Sequence, residues 1–171
     1  MKSIGVAEFN NIPTGVEQLD KVLKNVDVDV YRGGTTCPGK YYFIVYGEVE
    51  AVNQGMALIK GSNRTEIISG VAPEIIQALN KKNVESKFST IGVFEFYGIP
   101  EGVKALDLVI KSVEVCVLKL ILGWTLAGKS YFVIGGDTSS VEEAVVLVTG
   151  SFKIRDVKVI NNPSKDLLVF I

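Results

Sequence analysis

The chain of 171 residues contains no histidine. Within one chain that excludes Ser-His-Asp and Cys-His nucleophile systems, histidine zinc sites and imidazole acid–base chemistry. Cysteine is almost as scarce, with only Cys37 and Cys116. Two thiols make no multi-bridge scaffold, and one chain cannot offer four thiolates to zinc or to a cluster. An excess of either charge is missing too: 18 basic residues face 19 acidic ones, a net charge of -1. Nucleic-acid binding, which depends on neutralising phosphates, has no electrostatic support. Long apolar runs are also lacking. The longest, from Val113 to Gly128, is broken by Glu114 and Lys119 and is too short to cross a bilayer. The first residues lack the apolar core of a signal peptide. The expectation is a cytoplasmic protein that partners neither nucleic acid nor membrane.

What is present is a globular composition, 47% apolar and 22% charged, and an internal repeat. Ile4-Gly-Val-Ala-Glu-Phe9 returns as Ile91-Gly-Val-Phe-Glu-Phe96. The match continues through Ile12-Pro13 and Ile99-Pro100, Leu19-Asp20 and Leu106-Asp107, and Lys24 and Lys111. About 16 of the 27 positions from Ile4 to Val30 are identical to their counterparts. After two extra residues in the second copy, Gly39-Lys40 pairs with Gly128-Lys129 and Gly47 with Gly136. The chain is a duplicated domain, divided here as residues 1–88, including a linker helix, and 89–171.

Each copy reads as the same series of elements. A strand runs to Pro13 or Pro100, where a helix starts because proline is tolerated in the first helical turn. Val16, Leu19, Val22, Leu23 and Val26 recur at helical spacing, as do Val103, Leu106, Val109, Ile110 and Val113. Val26, Val28 and Val30, like Val113, Val115 and Val117, alternate as a half-buried strand. A loop, a second strand ending at Gly47 or Gly136, and a helix carrying Val141, Ala144, Val145 and Val148 follow. The order β-α-β-β-α-β defines an α+β, ferredoxin-like split-βαβ domain.

One motif is set aside. Gly123 to Ser130 satisfies the P-loop string G-x-x-x-x-G-K-[ST]. Phosphate binding by that string needs a helix starting at the lysine, whose N-terminal N–H groups hold the anion. Here a strand-like Tyr-Phe-Val-Ile follows Ser130, so a turn between strands is expected.

The tandem copies, each with I-G-x-x-E-F, a first helix ending in Asp-x-x-x-Lys, and G-[DE]-x-x-x-V opening the second helix, resemble bacterial microcompartment shell domains. Thr35-Thr-Cys-Pro-Gly-Lys40 resembles the pore loop of tandem-domain shell proteins in which a Cys-Pro-Gly-Lys turn presents a cluster-ligating thiolate. The resemblance implies a flat, pseudo-hexameric homotrimer that tiles with other shell proteins in a microcompartment shell in the cytoplasm. It also implies a [4Fe–4S] cluster held by Cys37 of three subunits. The implied pore lining is Thr36, Pro38, Gly39 and Lys40 with Trp124, Thr125 and Leu126. The implied tile-edge contacts are Asp20, Lys24, Asp107 and Lys111.

The residues themselves agree with that ligation. One cysteine per chain becomes three when a three-fold axis gathers the loops. Three thiolates hold a [4Fe–4S] cluster with one iron left for an exogenous ligand, and Pro38 and Gly39 fix a tight turn. The second copy has Leu126 or Ala127 at the matching place, so three sites meet at the axis, not six. Cys116, inside an apolar strand, reads as a small buried hydrophobe. Lys24 and Lys111 also suit a helix C-terminus through the helix dipole. Trp124 reads equally as pore-facing or as core. With no acid, base or nucleophile constellation, the expectation is a structural protein, not an enzyme. The cluster would carry electrons across the shell or supply encapsulated redox enzymes. Two alternatives stay open: a passive metabolite pore with Cys37 unliganded, and a small-molecule-binding regulatory trimer.

Overall fold

The computed structural model describes residues 2–80, 87–123 and 127–169. The first copy runs β1 (Lys2–Phe9), α1 (Ile12–Asn25), β2 (Asp29–Thr36), β3 (Lys40–Glu48), α2 (Val49–Ala57) and β4 (Arg64–Ser69). A short helix α3 (Pro73–Leu79) leads away from it. The second copy repeats the series as β5 (Thr90–Phe96), α4 (Ile99–Ser112), β6 (Cys116–Leu122), β7 (Ser130–Gly136), α5 (Thr138–Ser151) and β8 (Ile154–Asn161). Each copy forms one four-stranded sheet, with strand orders β2-β3-β1-β4 and β6-β7-β5-β8. Every pairing is antiparallel.

Pro13 and Pro100 sit in the first turns of α1 and α4, where the missing N–H has no intrahelical partner to lose. Asp137 caps α5 by accepting the N–H of Ser140 at 2.8 Å, which holds its carboxyl below the usual carboxylate range. The central strands β1 and β5 turn Ala7 and Phe9, and Phe94 and Phe96, toward their own helices, with buried Ser3 and Thr90 at the start of the same faces. Phe94, Phe96 and Phe132 stack at centroid distances of 4.7 and 5.5 Å. Two apolar clusters result. One, around Phe9, Phe43 and Val52, belongs to the first copy. The larger joins Ile4, Val6 and Ile44 to Leu79, Phe94 and Leu106, so the two copies share a core.

Several boundaries differ from the sequence expectation. The alternating valines do not open β2 and β6. Val26 and Val113 are C-caps, their N–H groups bonded back to Val22 and Val109, and β2 starts only at Asp29. Gly47 does not end β3; it pairs with Ser3 inside the ladder, where the strand lies against Val28. The expected loop at 35–40 is a tight hairpin, because Thr35 and Thr36 pair with Tyr41 and Lys40. Ser130 pairs with Phe96 and opens β7, so no helix begins at Lys129 and the P-loop string is a strand connection.

The matching apolar stripes of α1 and α4 have different fates. Val103, Leu106 and Val109 are fully buried, whereas Val16 and Leu23 are 49% and 43% exposed. The difference lies in what covers them. Helix α4 packs on β1 and β4 of the first copy as well as on its own sheet, whereas among the described residues α1 packs on β1, β3 and α2 of its own copy.

Candidate functional site

The site is built at the β2–β3 hairpin. Residues 37–39 make the turn, Gly39 adopts φ +84°, and Cys37 stands exposed at the tip. The hairpin touches the β6–β7 connection of the second copy: the Thr36 hydroxyl donates to the Gly123 carbonyl. A side chain at Gly128 would meet the aliphatic stem of Lys40 at 2.8 Å and the Cys37 carbonyl at 3.3 Å. Gly123 and Gly128, the described flanks of the β6–β7 connection, thus lie beside the β2–β3 hairpin. Trp124, Thr125 and Leu126, expected to line the same axis, lie outside the described residues.

Lys40 is occupied. Its ammonium lies 2.6 Å from the carboxylate of Glu8, whose side chain is fully buried. The other Glu8 oxygen accepts the Ile99 N–H at 3.0 Å, tying the hairpin to the first turn of α4. A buried carboxylate needs such partners, because an unpaired buried charge is far costlier. In the second copy half-buried Lys129 and Glu95 pair at 2.9 Å, and exposed Arg155 joins at 3.2 Å. Sequence reasoning did not single out Glu8. The signal that could have found it is the joint recurrence of Glu8 and Lys40 as Glu95 and Lys129.

The four expected edge residues are not equivalent. Lys24 and Asp20 pair at 2.6 Å with their side chains 72% and 58% exposed. Lys111 pairs with Asp107 at 2.5 Å, but Asp107 is buried. It accepts the Ala72 N–H at 2.8 Å, and Lys111 also donates to the Ser69 carbonyl at 3.2 Å. Cys116 is half-buried rather than buried, at the first position of β6, with its thiol 3.2 Å from the Gly135 carbonyl. It lines an open cleft with Lys87, Glu114 and Asp137. Among the described residues of one chain, no three His, Cys, Asp or Glu side chains converge to hold a metal ion, and no helix is long and apolar enough to cross a membrane.

A duplicated split-βαβ domain, with its two copies fused through a common core and an exposed hairpin at one end, is the architecture of a tandem shell domain. The BMC domain family model matches residues 3–78 and again 90–163, and the chain belongs to that family. A curated relative is the bacterial microcompartment shell protein PduT of Citrobacter freundii. It is 27% identical over 155 residues, covering 88% of this chain and 84% of the relative. Among solved structures, a microcompartment protein from Desulfitobacterium hafniense superposes with a TM-score of 0.83 at 28% identity, covering 98% of each chain. A fused permuted hexameric shell protein of the RMM microcompartment has a TM-score of 0.65 at 15% identity, covering 87% of this chain and 82% of that one, a likeness of fold. The protein is therefore a structural component of a bacterial microcompartment shell, an assembly inside the bacterial cytoplasm.

Proposed function

We propose that three chains close into a pseudo-hexameric tile whose central opening is ringed by the Cys37 hairpins, and that the three thiolates hold one [4Fe–4S] cluster. The observation that carries this reading is the exposed Cys37 at the tip of a hairpin that is braced from behind by Glu8, Lys40 and the Gly123 carbonyl. A thiolate on a rigid turn ligates with little ordering cost, since the turn is already fixed in the folded chain. The residue types fit: three cysteines supply three soft ligands, and the fourth iron takes a non-protein ligand. When bound, such a cluster supplies one-electron transfer. Placed in a shell wall, it connects redox enzymes inside with carriers outside, or supplies cluster to those enzymes. The tile edge is assigned to the Asp20/Lys24 and Asp107/Lys111 pairs at the ends of α1 and α4, where other shell proteins dock.

The test is anaerobic purification followed by iron and sulfide determination. About four irons per three chains, absent in Cys37→Ser and retained in Cys116→Ser, is the expected result. Full iron and sulfide in Cys37→Ser would overturn the ligation. A second reading leaves the exposed Cys37 thiols unliganded, since Cys116 lies half-buried at the start of β6 and the cluster would depend on Cys37 alone. On that reading the opening is a passive metabolite pore, and a wild-type tile free of iron after anaerobic reconstitution would establish it.

A further inference from the structure

The contact between the two copies within one chain carries charge, and its repeat-related counterpart carries the opposite charge. In the chain, α4 lies on the β4 edge of the first copy. Lys104 meets Glu66 at 2.5 Å, and Glu101 meets Arg64 at 2.5 Å. Val103 of α4 is fully buried and Ile67 of β4 is half-buried. The repeat maps Lys104 onto Glu17, Glu101 onto Thr14 and Val103 onto Val16. The matched ladders map Glu66 onto Lys158, Arg64 onto Asp156 and Ile67 onto Val159, because Val6 and Val93 face the first pair and Gly5 and Gly92 the last.

These counterparts stand open to solvent. Val16 and Val159 are 49% and 37% exposed. Lys158 is 74% exposed, and among the described residues its ion-pair partner is Asp156 of its own strand at 3.4 Å, while Glu17 accepts from the amide of Gln18 at 3.5 Å. The same holds at the start of the helix. Glu8 accepts the Ile99 N–H of α4, while Glu95, its counterpart, sits half-buried and the matching first turn of α1 has no side-chain cap.

We infer that the exposed face of α1 docks on the β8 edge of a second copy of this chain, with Glu17 against Lys158, and that the reversal of charge relative to Lys104–Glu66 sorts the two seams. This rests on the trimer proposed above and assigns its seam. The sorting follows from the four combinations. Helix α4 on a β8 edge sets Lys104 against Lys158 and Glu101 against Asp156, two like-charged contacts. Helix α1 on a β4 edge sets Glu17 against Glu66. Only α4 on its own chain's β4 and α1 on the neighbour's β8 are free of repulsion at these positions. A contact of this head-to-tail kind closes into a ring or runs on as a filament, so an edge that accepts one helix and rejects the other keeps copies in a single order.

The experiment is sedimentation of the full chain at low and at physiological salt, with circular dichroism to confirm folding of each variant. Both residues are exposed, so Glu17→Lys and Lys158→Glu should fold as the wild type does. Each should weaken the seam by about tenfold at low salt, less at high salt, because an attractive exposed pair becomes a repulsive one. The double variant Glu17→Lys/Lys158→Glu should restore the wild-type trimer. Trimeric wild type with unaffected single variants, or a double variant no better than the singles, overturns the seam assignment and leaves the trimer standing. Wild type that sediments as a monomer or dimer overturns the trimer itself.

Discussion

Side chains that look alike in the sequence differ sharply in what they contribute, and Glu8 is the clearest case. Its carboxylate is fully buried, yet it binds Lys40 of the hairpin and the Ile99 N–H of α4. Removing it leaves the Lys40 ammonium, only 18% exposed, without its counter-charge. Glu8→Ala is expected to cost about 3 kcal/mol, the order found when one partner of a buried pair is deleted. The exposed Asp20–Lys24 pair is of the kind that contributes below about 0.5 kcal/mol. Urea unfolding checks the contrast; a Glu8→Ala midpoint equal to wild type would remove Glu8 from its bracing role. Cys37 was legible as a turn residue because Pro38 and Gly39 flank it. The link from Lys40 to Glu8 was not, because residues 32 apart are joined only by the ladder that pairs β1 with β3.

At the scale of elements, helix positions are set by close approaches that glycine permits. A side chain at Gly102 of α4 would overlap the hydroxyl of Ser130 and lie 3.1 Å from its β-carbon. Ser130 cannot move aside freely, since it is fully buried and donates to the Gly98 carbonyl at 2.6 Å. Alanine in a helix interior gains about 1 kcal/mol over glycine. Overpacking at about 1–3 kcal/mol plus a weakened buried hydrogen bond outweighs that gain. Gly102→Ala should therefore lower stability, whereas Gly150→Ala in α5, with open space around the site, should raise it. Denaturant midpoints moving in the same direction for both would refute the packing argument. The order of elements was legible because proline, periodicity and the repeat all agree. The start of β2 was not: Val26 and Val28 alternate like strand residues but pack against Gly55 and Gly47 from a helix end and a turn. Nor could the sequence separate α1 from α4. Their stripes match residue for residue, and only the neighbour that covers α4 makes Val103 buried where Val16 is exposed.

For the whole molecule, the duplication leaves the ends of α1 and α4 unequal, and with them the six edges of the proposed trimer. In the first copy the Asp20–Lys24 pair projects from the end of α1, and among the described residues its side chains make no hydrogen bond or ion pair beyond the pair itself. In the second copy Asp107 is committed to the Ala72 N–H and Lys111 shares itself with the Ser69 carbonyl, so these side chains also hold the two copies together. A substitution at the first pair should act only between tiles, and one at the second should act within the chain. Lys24→Ala is expected to leave the melting temperature and the trimer unchanged while reducing the extended sheets seen by electron microscopy. Asp107→Ala should lower the melting temperature, because a buried N–H without a partner costs about 1–3 kcal/mol. Its effect on sheets would follow from the damaged tile. Sheets of normal extent from Lys24→Ala would show that the tile edge lies elsewhere. Unchanged stability in Asp107→Ala would show that the contact between the copies does not depend on this carboxylate.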